Sequence, residues 1–533
     1  MAGGGIAGHY KTLINPNEHW WQHVRGWKLM FWVGLYCLGN MANGYDGALV
    51  TGLQILPFWQ NDFNHPTGST LGLLGAVQNI GSLGSIPVAP LWNDRFGRRK
   101  TIILGTMMMI TGAALQAGAK NVNWFLGGRA LLGFGGGFNN NADPLMVIEL
   151  AYPSHRPILS GCYGSLTGVG SIVAAALTFG TYYIGSSWSW RLPALVQVIP
   201  TVFQMCMVML GPESPRWLMS KGKYQEAMDV LVYYHGKGDP HDPLVLYEFE
   251  EMKKGVEEEK KNKIGGWVSL WNTPGMRRRS FIMMALALSG QWSGNGLVTY
   301  YLSPVLNTIG ITDRTQQLGI NLGLTVWNFF CGIFAGFSAD KFGRRRIFLV
   351  TTSMMLAFLI AVTICSAQYN IHHDKISGAF VVVFIYLFTG CYAFGWPGIM
   401  LLYVTEIVPT SLRSKGHSLW AITQASFLVF NQYTNPIGFA SLGWKYYIVF
   451  DLVMVVILLF LYFFIIETKG LTLEETAVLF DGEDVVRDLQ DRADQQAAVD
   501  AHMSNVVDGI PEAEAEGKSP GSDKASFVHT ERV

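Results

Sequence analysis

Asn93-Asp94-Arg95-Phe96-Gly97-Arg98-Arg99-Lys100 returns about 250 residues later as Ala339-Asp340-Lys341-Phe342-Gly343-Arg344-Arg345-Arg346. Each copy separates one long apolar stretch from the next. Two further pairs keep the same offset. Glu149 with Arg156 returns as Glu406 with Arg413, and Glu213-Ser214-Pro215-Arg216 has a weaker partner in Glu467-Thr468-Lys469-Gly470. Three coincidences at matching positions mark a duplicated half.

Working outward from these loops, the apolar stretches have the length that a hydrocarbon core of about 30 Å demands. Six candidate spans precede a long polar segment, at 29–53, 70–92, 102–119, 124–148, 159–184 and 190–211. Six follow it, at 281–304, 316–339, 347–368, 377–405, 415–441 and 445–466. Spans 4, 10 and 11 are interrupted by Gly, Asn or Pro. Composition agrees: of 533 residues, 50% are hydrophobic and only 14% charged, where soluble domains carry about 25% charged residues. The expected fold is an all-α membrane protein of twelve transmembrane helices in two pseudo-symmetric six-helix bundles. With 38 basic against 38 acidic residues, no net charge favours nucleic acid.

Loop charge sets the expected orientation. Arg and Lys follow spans 2, 4, 8 and 10, whereas the stretch from Pro57 to Ser69 has neither. The positive-inside rule then places both termini and the central loop in the cytoplasm. The expected divisions are a cytoplasmic segment (1–28), a first bundle (29–211), a loop with short amphipathic helices (212–279), a second bundle (280–466) and an acidic tail (467–533), disordered over most of its length. The six cysteines lie in apolar stretches without metal-ligand spacing and read as small buried hydrophobes. No motif calls for a cofactor or a metal. His372-His373-Asp374 lacks a further ligand and reads as a solvated loop. No catalytic arrangement can be assembled in the polar parts, so an enzyme is not expected.

These motifs together resemble the sugar porter family of the major facilitator superfamily. The resemblance rests on Gly44-Tyr45-Asp46, Asp94-Arg95-Phe96-Gly97-Arg98-Arg99, Gly128-Arg129 with Gly133, Gly135 and Gly137, Pro212-Glu213-Ser214-Pro215-Arg216-Trp217-Leu218, Asp340 to Arg345 and Glu467 to Thr472. It covers roughly residues 25–480. Gln291-Trp292-Ser293-Gly294-Asn295 leading to Tyr300-Tyr301, and Asn431-Gln432-Tyr433-Thr434-Asn435-Pro436, resemble the fungal lactose permease-like branch. The resemblance implies proton-coupled transport of a neutral mono- or disaccharide, lactose or cellobiose type, by alternating access. Its partners would be the sugar, the proton and the lipid bilayer of the plasma membrane, with a functional monomer. Alternatives are a non-transporting sugar sensor, or a carrier for a polyol or other non-sugar solute. Departures from the family pattern at Gly164, Thr167, Leu401 and Ile466 leave these open.

Residue roles follow. A charge near the bilayer centre costs at least about 2.5–3.5 kcal/mol and needs a partner. Asp46 and Arg129 form the clearest pair, and the resemblance makes Asp46 the proton acceptor. Sugar hydroxyls need amides and an aromatic face. Gln291, Asn295, Asn328, Asn431 and Asn435 are the candidate amides, with Trp396 and Tyr403 as stacking faces and Tyr300 and Tyr301 as gates. The charged loops supply candidate latches: Asp94, Arg98, Arg99, Glu149, Arg156, Glu213 and Arg216, with Asp340, Arg344, Arg345, Glu406, Arg413 and Glu467 in the second half. In Asn139-Asn140-Asn141-Ala142-Asp143, a helical period puts Asn140 and Asp143 near the face of Arg129, as a possible second polar path. The Gly-rich run around Arg129 follows no strand and reads as close helix packing, not a nucleotide loop.

Overall fold

A computed structural model describes residues 24–236, 238–261, 267–409, 412–470 and 473–481. The first 23 residues and nearly all of the expected acidic tail lie outside them, as do the side chains of Asp340 and Glu258. Helices account for every regular element among the described residues.

Each expected span is helical, but with different breaks. Spans 1, 3, 4 and 5 are single helices, Val24–Leu53, Arg98–Ala117, Val122–Leu150 and Arg156–Thr181. Spans 8, 9, 11 and 12 are Arg314–Phe342, Arg344–His372, Arg413–Leu442 and Tyr446–Phe464. Span 2 is a pair, Gly68–Ser85 and Ala89–Phe96, bent by 46° on either side of Pro87. Span 6 breaks at Gln197, span 7 at the left-handed Gly294, and span 10 at Trp396-Pro397. The glycines and asparagines of span 4 leave it unbroken, and so does Pro144. Packing against neighbours holds that helix together.

Among the described residues, seven helical stretches are apolar and long enough to cross a membrane, one of them running through spans 11 and 12; the bent pair of span 2 adds an eighth. Spans 1, 4 and 7 fall outside that set. They carry the intramembrane Asp46, Arg129, Asp143 and Gln291 together with many Asn and Gly, and an interior helix lining a polar path loses apolarity in that way. The twelve helices form two six-helix bundles, the major facilitator fold.

Inside a bilayer, lipid tails are as apolar as leucine, so helices associate by close backbone approach. The Gly run of span 4 does this. A Cβ on Gly128 would sit 2.7 Å from the Gln116 nitrogen of span 3, and on Gly135 2.6 Å from the Gly105 carbonyl. On Gly133 it would overlap the Gln78 carbonyl of span 2. Larger side chains do the sealing at the face with few basic residues, the neutral face. There Trp59, Phe63, Phe125 and Trp190 pack edge to face at 5.1–6.2 Å, and the Trp190 indole donates to Asp62 (2.8 Å).

At the opposite, charged face, three helices fill the central loop: Pro215–Ser220, Tyr224–Tyr234 and Pro243–Lys261. They bury Leu218, Met219, Leu231, Val245 and Val256 against one another. The cysteines differ from expectation. All are free, yet only Cys37 is buried, while Cys162 and Cys206 are exposed; an apolar stretch in a bilayer needs no burial in protein.

Candidate functional site

Asp46 and Arg129 meet as the sequence requires, with an additional residue between them. Arg129 Nη1 lies 3.6 Å from Asp46 Oδ1, and both side chains are 3% exposed. Gln78 of span 2 joins them: its amide nitrogen donates to Asp46, and its amide oxygen accepts from Arg129 Nη2 at 2.5 Å. The close approach at Gly133 brings Gln78 to this position. Asp46 Oδ1 and Arg129 Nε and Nη1 have no hydrogen-bond partner, so the acid and the base are matched but not saturated.

This triad borders a cavity of about 180 Å³. Arg129 and Gln78 line it, with Asn43, Gln54, Asn79, Ser82 and Asn140 from the first bundle and Tyr300, Leu428 and Gln432 from the second. Asn79 Nδ2 donates to Gln432 Oε1 across the bundles (2.7 Å), and Asn43 donates to Asn140. Amide groups present both donors and acceptors, so such a wall suits a hydroxyl-rich, uncharged solute. Gln54, Gln78, Asn79 and Gln432 were not singled out by the sequence. Their signal was present, as amides inside apolar spans, but without a partner in view each reads as an ordinary interhelical contact.

Contacts joining the bundles cluster toward the neutral face. Thr51 Oγ1 donates to the Thr299 carbonyl (2.9 Å) and Gln54 Nε2 to the Tyr300 carbonyl (3.1 Å). Tyr301, 1% exposed, donates its hydroxyl to the Gln432 carbonyl (2.6 Å), into space that a side chain at Gly75 would take. Tyr300 thus lines the cavity, and Tyr301 packs beside it between the bundles.

The amides expected to hold sugar lie deeper in the second bundle. Asn435 Nδ2 donates to Asn431 Oδ1 (2.9 Å), and the Tyr446 hydroxyl to Asn435 (3.2 Å). Asn431 packs on Gly296, just past the span 7 break. Asn295 accepts from Thr299 (3.3 Å). Asn431 Nδ2, Asn328 Oδ1 and Trp396 Nε1 are buried without a partner, an arrangement that costs free energy until something pairs with them. Trp396 is sealed between Phe348 and Tyr392. Tyr403 points away, toward the charged face, where its hydroxyl accepts from the Ile466 nitrogen (3.1 Å). Gln291 is half-buried.

Asn140 and Asp143 separate. Asn140 reaches the cavity, whereas Asp143, fully buried, turns into the junction of spans 1, 4 and 6. There it accepts from Gln204 Nε2 (3.0 Å) in room left by Gly39.

At the charged face the two halves repeat residue for residue. Arg98 bonds both oxygens of Glu149 (3.3 Å each), and Arg344 Nη2 donates to Glu406 (2.9 Å). Ser214 donates to Glu149, and Thr468 to Glu406 (2.6 Å). Glu213 accepts the backbone nitrogens of Arg98 and Arg99 (3.1 and 3.3 Å), and Glu467 those of Arg344 and Arg345 (2.8 and 3.2 Å). Both carboxylates cap the helix that follows a positive-φ glycine, Gly97 or Gly343. Glu467, only a weak match in sequence, is a full structural counterpart of Glu213. Burial pushes the Glu213 pKa up, against the backbone donors. Arg99 and Arg345 hold the last carbonyls of spans 6 and 12, at Val208 (3.1 Å) and Tyr462 (2.8 Å). Asp94 is 80% exposed and 3.8 Å from Arg98. Arg216 faces Gly255 of the third loop helix.

Symmetry ends at the next arginine. Arg156 donates to Glu248 (2.7 Å), whose other oxygen meets His235 Nδ1 (2.5 Å), and His235 Nε2 faces the Leu150 carbonyl (3.2 Å). Among the described residues Arg413 has no such acid; its Nε and Nη2 are buried without partners there. His373 caps span 9 and Asp374 caps span 10, and no group of metal-ligating side chains occurs among the described residues.

The family model for "Sugar (and other) transporter" matches residues 32–480. The chain belongs to this family. Its relatives include a high-affinity glucose transporter of Kluyveromyces lactis, 28% identical over 82% of both chains. A second is the MFS-type transporter oryC of Aspergillus oryzae, 29% identical over 87% of both. A third is a quinate permease of Emericella nidulans, 25% identical over 87% of this chain and 90% of that one. Among solved structures, the inward-open xylose transporter XylE of E. coli superposes with a TM-score of 0.70 at 21% identity, over 85% of this chain and all of that one. Both the family and the fold are those of membrane transporters.

Proposed function

We propose that this protein is a proton-coupled symporter for a neutral mono- or disaccharide, working by alternating access, with its charged face and both termini in the cytoplasm of a plasma membrane. The observation that carries this reading is the buried Asp46–Gln78–Arg129 triad on the wall of an amide-lined cavity. A carboxyl that can exchange its proton beside a solute site is what coupling requires. Protonation of Asp46 would release Arg129 and Gln78 to other acceptors and lower the cost of occluding the site. Neutral cargo suits the amide walls, and the unpaired Asn328 and Asn431 atoms offer hydroxyl partners in the second bundle. Relatives named as glucose transporters support the sugar class.

The test is uptake of radiolabelled glucose, xylose, lactose and cellobiose by vesicles carrying the purified protein under an imposed proton gradient. Accumulation that uncouplers collapse is expected. Asp46→Asn should abolish accumulation while keeping sugar exchange. Accumulation that survives in Asp46→Asn would move the proton site elsewhere, and no uptake of any sugar would remove the sugar assignment.

A further inference from the structure

The start of span 1 and the second loop helix, Tyr224–Tyr234, enclose an open cleft of about 480 Å³ lined by Trp27, Lys28, Phe31, Trp32, Tyr233 and Tyr234. Two cations converge on one ring at its edge. The Arg25 guanidinium lies 5.0 Å and the Lys28 ammonium 5.7 Å from the centre of Tyr233. Lys28 also donates to the Tyr233 hydroxyl (3.0 Å). Neither cation has a carboxylate within ion-pair distance among the described residues, and Arg25 Nη1 is buried with no hydrogen-bond partner. Gly238, at φ +94°, leaves room for the guanidinium, since a Cβ there would overlap Arg25 Nη1. Arg25 sits in the first turn of the described helix, where the macrodipole opposes positive charge and favours an anion.

We propose that this cleft binds the headgroup of an anionic phospholipid from the leaflet at the charged face. The like charges lack an anion, and the geometry supplies the rest of a lipid. At 1.5 Å per residue, Phe31 lies about 4.5 Å further along the helix than Lys28. The phosphate therefore meets Lys28 and the Tyr233 hydroxyl, with the Arg25 charge beside them at the edge, while the glycerol and upper acyl chain meet aromatic rings. Trp27 and Phe31 are 57% and 46% exposed, as interfacial anchors are. A free phosphate would satisfy the cations and leave that aromatic wall unused. Because the loop helix is one wall, an occupied cleft also pins the loop domain to span 1.

The experiment uses the full-length protein, purified from membranes and reconstituted in nanodiscs of phosphatidylcholine with or without phosphatidylserine. Retained lipids are counted by native mass spectrometry. One phosphatidylserine should stay bound with a preference of roughly thirty-fold over phosphatidylcholine, from two basic contacts. Arg25→Gln with Lys28→Gln should lose that preference, and Arg25→Lys with Lys28→Arg should keep it while sharing any cost of altered packing. Inorganic phosphate should not displace the lipid. Equal retention by the wild type and the neutral variant would overturn the proposal, and displacement by phosphate alone would assign the cleft to a soluble anion.

Discussion

Glu248→Ala should loosen the loop domain from the junction of spans 4 and 5, and the geometry sets the size of the effect. The carboxylate is fully buried, with one oxygen on Arg156 at 2.7 Å and the other on His235 at 2.5 Å. Removing it strands an imidazole that is 2% exposed and a guanidinium that is 26% exposed. Breaking a buried pair costs about 3–5 kcal/mol, and water access to Arg156 puts the expected loss at the lower end, about 3 kcal/mol. At about 1.4 kcal/mol per tenfold, that is roughly a hundred-fold loss of amide protection. Hydrogen–deuterium exchange over Tyr224–Tyr234 reads it directly. The pH dependence has a definite sign. Burial raises the Glu248 pKa, but His235 and Arg156 outweigh it and hold the acid below its ordinary value of 4.5. A depressed carboxyl stabilises the fold above its ordinary pKa and loses that stabilisation as pH falls through the lowered value. The gap between wild type and Glu248→Ala should therefore be full at neutral pH and narrow in acid below 4.5. Protection changed by less than about threefold at neutral pH would refute the reasoning, since even one ordinary hydrogen bond is worth about 1 kcal/mol.

Gly133→Ala places a methyl on the Gln78 carbonyl; thermal unfolding should show a loss of about 1–3 kcal/mol from overpacking, with transport impaired because span 2 carries Gln78 away from Arg129. Asp143→Asn keeps the shape of a carboxyl that faces Gln204 and Gly39, so uptake and its pH profile should remain wild type; a shifted profile would make Asp143 a second coupling acid. Asn140→Ala, on the cavity wall, should weaken solute binding by about 1–3 kcal/mol if the amide is left without a substitute, measured by titration calorimetry. Glu213→Gln and Glu467→Gln each weaken two backbone contacts at a helix start; each should cost about 0.5–2 kcal/mol in thermal unfolding, and unequal losses would break the two-fold reading.

Charges in apolar stretches are visible in one dimension, and so the sequence alone established the twelve spans, the duplicated halves and the Asp46–Arg129 pair. A charge in hydrocarbon needs a partner, and Arg129 had few acids to choose from: Asp46 meets it, while Asp143 is held by Gln204. The loop motifs were legible for a similar reason: an Arg pair after a turn glycine, repeated at the same offset, can only serve the same helix ends twice. Amides carry no such demand. Gln78 became the bridge only because Gly133 lets spans 2 and 4 touch, and the hydrogen bond between Asn79 and Gln432 joins residues 353 positions apart. Helical periodicity likewise placed Asn140 and Asp143 about 60° apart, close enough to suggest one face, yet that angle decides between an open cavity and a sealed junction. Glu248 and His235 lie in the polar loop, where nothing in the pattern points to Arg156. Long-range packing decided these positions, because an uncharged or solvated side chain takes its role from whichever backbone is brought against it.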